Sequence, residues 1–122
     1  MATIELTKDN FQETIDKNEI VLIDFWAEWC GPCKMFGPVF KDASEKHEDI
    51  AFCSCNTEEQ QELAASFGIR SIPTLMIFRQ KVLLMQQAGA LPGEALGEVI
   101  QKVRELDMEE IMKKTKEEEG ED

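Results

Sequence analysis

Asp24-Phe25-Trp26-Ala27-Glu28-Trp29-Cys30-Gly31-Pro32-Cys33-Lys34 is the stretch from which the rest of the chain can be read. It completes an apolar run, Ile20 to Trp26, that contains one carboxylate, Asp24. Val21, Leu22, Ile23, Phe25 and Trp26 favour extended backbone without clean polar alternation, the pattern of a strand covered on both faces in a parallel or mixed sheet. Gly31-Pro32 ends the strand, and Lys34 to His47 has helical spacing. Cys30 is thereby predicted at a helix N-terminus, where unpaired N–H groups and the positive end of the dipole favour a thiolate. Cys33, one turn in, is placed to attack a mixed disulfide formed on Cys30. Pro32 stiffens the loop without losing a hydrogen bond, because first-turn N–H groups have no partner inside the helix.

Cys53 and Cys55 raise an alternative, since a lone Cys-x-x-Cys is also half of a zinc site. Zinc sites commonly repeat the two-residue gap in each half. Here the second pair is Cys-x-Cys within a predicted strand, where alternation puts both thiols on one face, opposite Phe52, Ser54 and Asn56. They read as small core residues. Cys30 and Cys33, preceded by Trp29 and enclosing Gly-Pro, read as a redox pair, with no metal. Asp24 lies in an apolar run, so burial disfavours its charged form and raises its pKa, which suits a proton acceptor for Cys33. A structural carboxylate satisfied by backbone donors is the other reading.

Outward from this stretch, Thr3 to Leu6 reads as a first strand and Thr7 as the N-cap of a helix over Lys8 to Lys17. Pro38 falls inside the helix after the cysteines and predicts a kink. Ile50 to Cys55 is a third strand, and Thr57-Glu58-Glu59-Gln60 has the pattern of a capping box opening a helix to Phe67. Thr74 to Phe78 and Val82 to Ala88 form a hairpin through Arg79-Gln80-Lys81, which lacks the Asn-Gly that tight turns prefer. Leu83, Leu84 and Met85 leave apolar surface to be exposed or covered by a partner. Pro92-Gly93 opens a last helix with Leu96, Val99, Ile100, Val103 and Leu106 on its apolar face. The order β-α-β-α-β-α-β-β-α predicts an α/β fold, a mixed central β-sheet flanked by helices on both faces.

The 122 residues, 43% hydrophobic and 31% charged, suffice for one domain and leave no room for a second. A formal net charge of −12 argues against nucleic acid, whose phosphates need clustered Lys and Arg. The start, Met1 to Leu6, has no basic region or long apolar segment, so neither membrane insertion nor secretion is expected, and a cytoplasmic protein is the default. Residues 107–122 are an acidic extension of net charge −5 beyond a domain of residues 1–106. Met108, Ile111, Met112 and Thr115 hold helical spacing before a polar end from Lys116, read as a frayed helix running into disorder, with partner docking the alternative. His47, the only histidine, reads as a solvated surface residue, and Trp26 as packing beside the site.

Trp26-Ala27-Glu28-Trp29-Cys30-Gly31-Pro32-Cys33-Lys34, the strand-borne Asp24, and Gly68-Ile69-Arg70-Ser71-Ile72-Pro73-Thr74 together resemble thioredoxins of the bacterial type, over about Ile4 to Leu106. The resemblance implies a thioredoxin fold and a thiol-disulfide oxidoreductase that reduces protein disulfides in cell redox homeostasis. Cys30 would be the nucleophile and Cys33 the resolving thiol. It implies no bound cofactor, electrons from NADPH through a flavin-dependent thioredoxin reductase, disulfide-containing proteins as substrates, and a monomer. It also implies that Pro73 is cis and faces the cysteines, although composition alone favours an ordinary trans proline. Trp29, Gly31, Pro32, Ile72, Pro73, Gly89 and Ala90 would then line a shallow apolar groove. A module that grips partners in that groove without turnover is the alternative function. One position departs from the family: where thioredoxins often carry a lysine on the third strand near the buried Asp, this chain has Ser54.

Overall fold

The computed structural model of the protein describes residues 3–120, with side chains to residue 116. Its elements run β1 (Ile4–Glu5), α1 (Phe11–Lys17), β2 (Ile20–Trp26), α2 (Gly31–Lys46), β3 (Ala51–Asn56), α3 (Gln61–Ser66), β4 (Thr74–Arg79), β5 (Val82–Ala88), α4 (Gly93–Glu105) and α5 (Met108–Gly120). The sheet has the order β1-β3-β2-β4-β5. β2 lies at its centre, parallel to β3 and antiparallel to β4.

Alternation along β2 splits the core into two halves. Val21, Ile23 and Phe25 pack with Ile15 of α1 and Leu63 and Ala64 of α3, in a cluster that also takes in Cys53 and Cys55. Ile20 and Leu22 point the other way, against Phe36 and Phe40 of α2 and Leu96, Ile100 and Val103 of α4. A central strand apolar on both faces therefore places helices on both sides of the sheet. Each fully buried Phe or Leu contributes about 1.5–3 kcal/mol to that arrangement. Helical backbone in α2 continues through Pro38, whose ring cannot donate to the carbonyl one turn back.

Four local expectations are corrected. Thr7 does not cap α1: its Oγ1 accepts from the N–H groups of Asp9 and Asn10 at 3.2 and 3.3 Å, a local turn that delays the helix to Phe11. Nor does Thr57 form a capping box. Its hydroxyl and its N–H both donate to the Trp26 carbonyl, at 3.0 and 2.8 Å, and α3 opens only at Gln61. His47 is half-buried rather than solvated, with Nδ1 3.1 Å from Nη2 of Arg104. Burial, with the Arg104 charge second, holds its pKa below the usual histidine value. Leu106 leaves the apolar face of α4 and is exposed at the helix end.

Beyond α4 the chain turns back into α5. Arg79 Nη1 donates to the carbonyls of Val103, Arg104 and Leu106 at 2.8, 3.3 and 3.2 Å, capping the end of α4 from the sheet. Met108 is buried, and Ile111 and Thr115 are half-buried. The disorder expected at the end of the extension falls in part on residues 121–122, outside the described residues.

Candidate active site

β2 delivers Asp24 and Trp26 to the C-terminal end of the central strand, and α2 begins five residues after Trp26 at Gly31. Cys30 is the N-cap of α2, with Pro32 at its start. Its Sγ accepts from the N–H of Cys33 at 3.2 Å, and its carbonyl accepts from Lys34 at 3.3 Å. Cys30 and Cys33 are joined as a disulfide with Cα atoms 5.3 Å apart. The sulfur thus takes the place a capping oxygen usually holds, answering one of the orphan N–H groups of the first turn.

The Ile72–Pro73 peptide is cis, and the Ile72 carbonyl lies 3.6 Å from Cys30 Sγ. Gly89, with φ +98°, donates its N–H to the Pro73 carbonyl at 2.8 Å, so the segment after β5 is tied to the one before β4. Trp29 is 70% exposed, and Gly31, Pro32, Gly89 and Ala90 are exposed too. Ile72 is half-buried and Pro73 buried. The disulfide itself is nearly covered, packed on Ala27, Trp26 and Ile72.

Asp24 is 4% exposed, and burial raises its carboxyl pKa to about 7. With Cys33, Lys34, Trp26, Glu28 and Ser54 it lines a cavity of about 340 Å³. Ser54 is its register partner on β3. The serine therefore stands beside the carboxylate, where the resemblance led one to look for a lysine. Asp24 Oδ1 and Trp26 Nε1 are buried with no hydrogen-bond partner in the protein. Trp26, the next residue after Asp24 on the same face of the strand, packs against Ala27, Cys30 and Cys33, as its place beside the site predicts. Met35 is 73% exposed on α2, two residues past Cys33.

Cys53 and Cys55 are free thiols fully enclosed in the core. Burial pushes the Cys53 thiol to about 12, and burial followed by the Asp24 charge pushes Cys55 to about 11. Neither is a thiolate near neutrality, so neither competes with the Cys30–Cys33 pair. Among the described residues no three His, Cys, Asp or Glu side chains are grouped to hold a metal ion. No helix among them is long and apolar enough to cross a membrane.

A mixed sheet presenting a dithiol at a helix N-terminus beside a cis proline defines a thiol-disulfide oxidoreductase. Residues 2–102 match the family model for thioredoxin. A protein of Streptomyces coelicolor assigned as thioredoxin 2 is 58% identical over 112 residues, covering 92% of this chain and 84% of its own length. The thioredoxin of Alicyclobacillus acidocaldarius is 44% identical over 96 residues, 78% of this chain and 91% of its own. Among solved structures, a mutant thioredoxin from Halobacterium salinarum superposes with a TM-score of 0.78 at 32% identity, covering 85% of this chain and 91% of that one. The chain belongs to the thioredoxin family. It is a protein-disulfide oxidoreductase with Cys30–Cys33 as its redox pair, and a purely binding role is not favoured.

Proposed function

We propose that the protein reduces disulfides of other proteins in the cytoplasm, as a monomer, and is itself reduced by NADPH through a flavin-dependent thioredoxin reductase. The observation that carries this reading is the Cys30–Cys33 disulfide at the N-terminus of α2 with Asp24 buried behind it. Bacterial relatives and the −12 charge favour a soluble cytoplasmic protein. The catalytic unit is residues 1–106, consistent with the span of the family match, and residues 107–122 are an extension to it.

In the reduced protein the Cys30 thiolate attacks one sulfur of a substrate disulfide. The substrate S–S bond breaks, a mixed disulfide forms on Cys30, and the first substrate thiolate leaves and takes a proton from water. Cys33 then gives its proton to the Asp24 carboxylate and attacks Cys30 Sγ. The mixed disulfide breaks, Cys30–Cys33 forms, and the second substrate sulfur departs as a thiolate that takes a proton from water. Two electrons have passed from the dithiol to the substrate. Trp29, Gly31, Pro32, Ile72, Pro73, Gly89 and Ala90 form the surface that holds an extended substrate segment. Its backbone pairs beside Pro73, and its apolar side chains lie against Trp29 and Ile72.

A coupled assay tests the reading: NADPH consumption with a bacterial thioredoxin reductase and insulin as disulfide substrate. Turnover that needs all three components and stops in Cys30→Ser is the expected result. Turnover with dithiothreitol but none with NADPH and the reductase would reject the electron donor while keeping the chemistry.

A further inference from the structure

Among the described residues, Trp29 and Met35 are the only large apolar side chains more than half exposed. Trp29 stands in the groove described above, and Met35 has no place in it. Helical periodicity sets Met35 one turn from Gly31 and Pro32 on one side and from Pro38 and Val39 on the other. Gly31, Pro32 and Pro38 are exposed, and Val39 is half-buried. From Gly31 to Val39 the residues of α2 that reach the surface therefore include one charge, Lys34, whereas Lys41, Asp42, Glu45 and Lys46 are all exposed in the turns that follow. The solvated face of a surface helix is ordinarily polar and charged along its length. On α2 the charge is withheld over the two turns that begin at Cys30, and glycine and proline, with no long side chains, leave Met35 unshielded there. An apolar surface of this kind marks a contact with another molecule.

We propose that Met35 is a specificity-determining residue for protein disulfides: the outer face of α2 around it is a second apolar contact for the substrate protein, continuous with the groove through Gly31 and Pro32. This rests on the reading of the protein as a reductase of protein disulfides through Cys30. The occupant follows from position. Met35 lies five residues beyond Cys30, about 7.5 Å along the helix axis. A protein interface of only half the standard size covers a patch about 11 Å in radius, so a folded protein held with its sulfur at Cys30 also covers Met35. A small disulfide is not large enough to fill the groove and this face together. Methionine suits the task, because an unbranched, polarisable thioether repacks against apolar surfaces of different shape and so serves many substrates. The charged residues from Lys41 onward form the polar rim at which the contact ends.

Reduced protein mixed with insulin or with a small aromatic disulfide, in the absence of any reductase, reads the substrate contact alone. In Met35→Gln, which keeps the length of the side chain and removes its apolar surface, the rate constant for insulin divided by that for the small disulfide falls about tenfold. Met35→Leu, which keeps apolar surface, holds the parent ratio. Both replacements favour helix, so α2 is retained in each. An unchanged ratio in Met35→Gln overturns the proposal, as does an equal fall in Met35→Leu. A loss seen only when NADPH and the reductase supply the electrons assigns the face to the reductase and overturns it too. So does a parent dimer, measured by sedimentation, that Met35→Gln dissociates, since the face then belongs to a second copy. Cys30→Ser separates the two readings: insulin reduction that survives it rejects the reductase mechanism itself, while an unchanged ratio with turnover that still requires Cys30 rejects only the role of Met35.

Discussion

Gly89 donates its N–H to the carbonyl of Pro73 at 2.8 Å, which ties the segment after β5 to the one that lies against Cys30. Gly89 has φ +98°, and a Cβ added there meets no heavy atom within 4 Å. The cost of Gly89→Ala is therefore conformational rather than steric, about 1–2 kcal/mol. Urea unfolding measures the stability loss. With the loop shifted, kcat/KM for a protein disulfide falls more than for a small aromatic disulfide, which needs no backbone pairing.

Asp24 has the opposite sign from a salt-bridged carboxylate. Its folded pKa of about 7 lies above the ordinary 3.8, so between these values the folded state binds more protons than the unfolded one. Stability falls as pH rises through this window, by at most about 4 kcal/mol. Asp24→Asn removes that penalty. The variant is more stable than the parent at pH 8 and nearly equal to it near pH 4, as thermal melts at the two pH values show. Release of product from the mixed disulfide slows in the same variant.

The two cysteines separate by substitution. Cys30→Ser abolishes disulfide reduction. Cys33→Ser retains the first attack and stops there, accumulating a covalent adduct with substrate through Cys30 that intact-mass spectrometry detects and dithiothreitol releases. A Cys33→Ser protein that turns over at the parent rate contradicts the order of attack.

The hairpin turn can be improved. Gln80 and Lys81 both have positive φ, 52° and 70°, the requirement of a type I′ turn, yet neither residue favours it. Gln80→Asn with Lys81→Gly stabilises by about 1 kcal/mol, read as a higher urea midpoint at unchanged m-value. The exposed Lys81–Asp16 ion pair that is lost, at 3.7 Å, offsets little.

Local signals survive in the sequence where one residue answers to one requirement. Ile20 to Trp26 needs both faces covered, and its run is readable without coordinates. Thr7 and Thr57 mislead because a hydroxyl that fits a cap also fits other acceptors and donors nearby. The carbonyl that takes Thr57 belongs to Trp26, which no local pattern reveals. His47 differs from its local pattern for the same reason, since Arg104 reaches it from a helix distant in the chain.

The chemistry and the central strand are legible in the chain: two thiols around Gly-Pro after a buried run, with a carboxylate inside it, answer to local covalent and helix-end constraints. What surrounds them follows from packing. Strand register sets Ser54 beside Asp24, and packing around the central strand buries Asp24 Oδ1 and Trp26 Nε1. These are contacts between segments far apart in the chain, and desolvation depends on every layer around a group rather than on its neighbours in sequence.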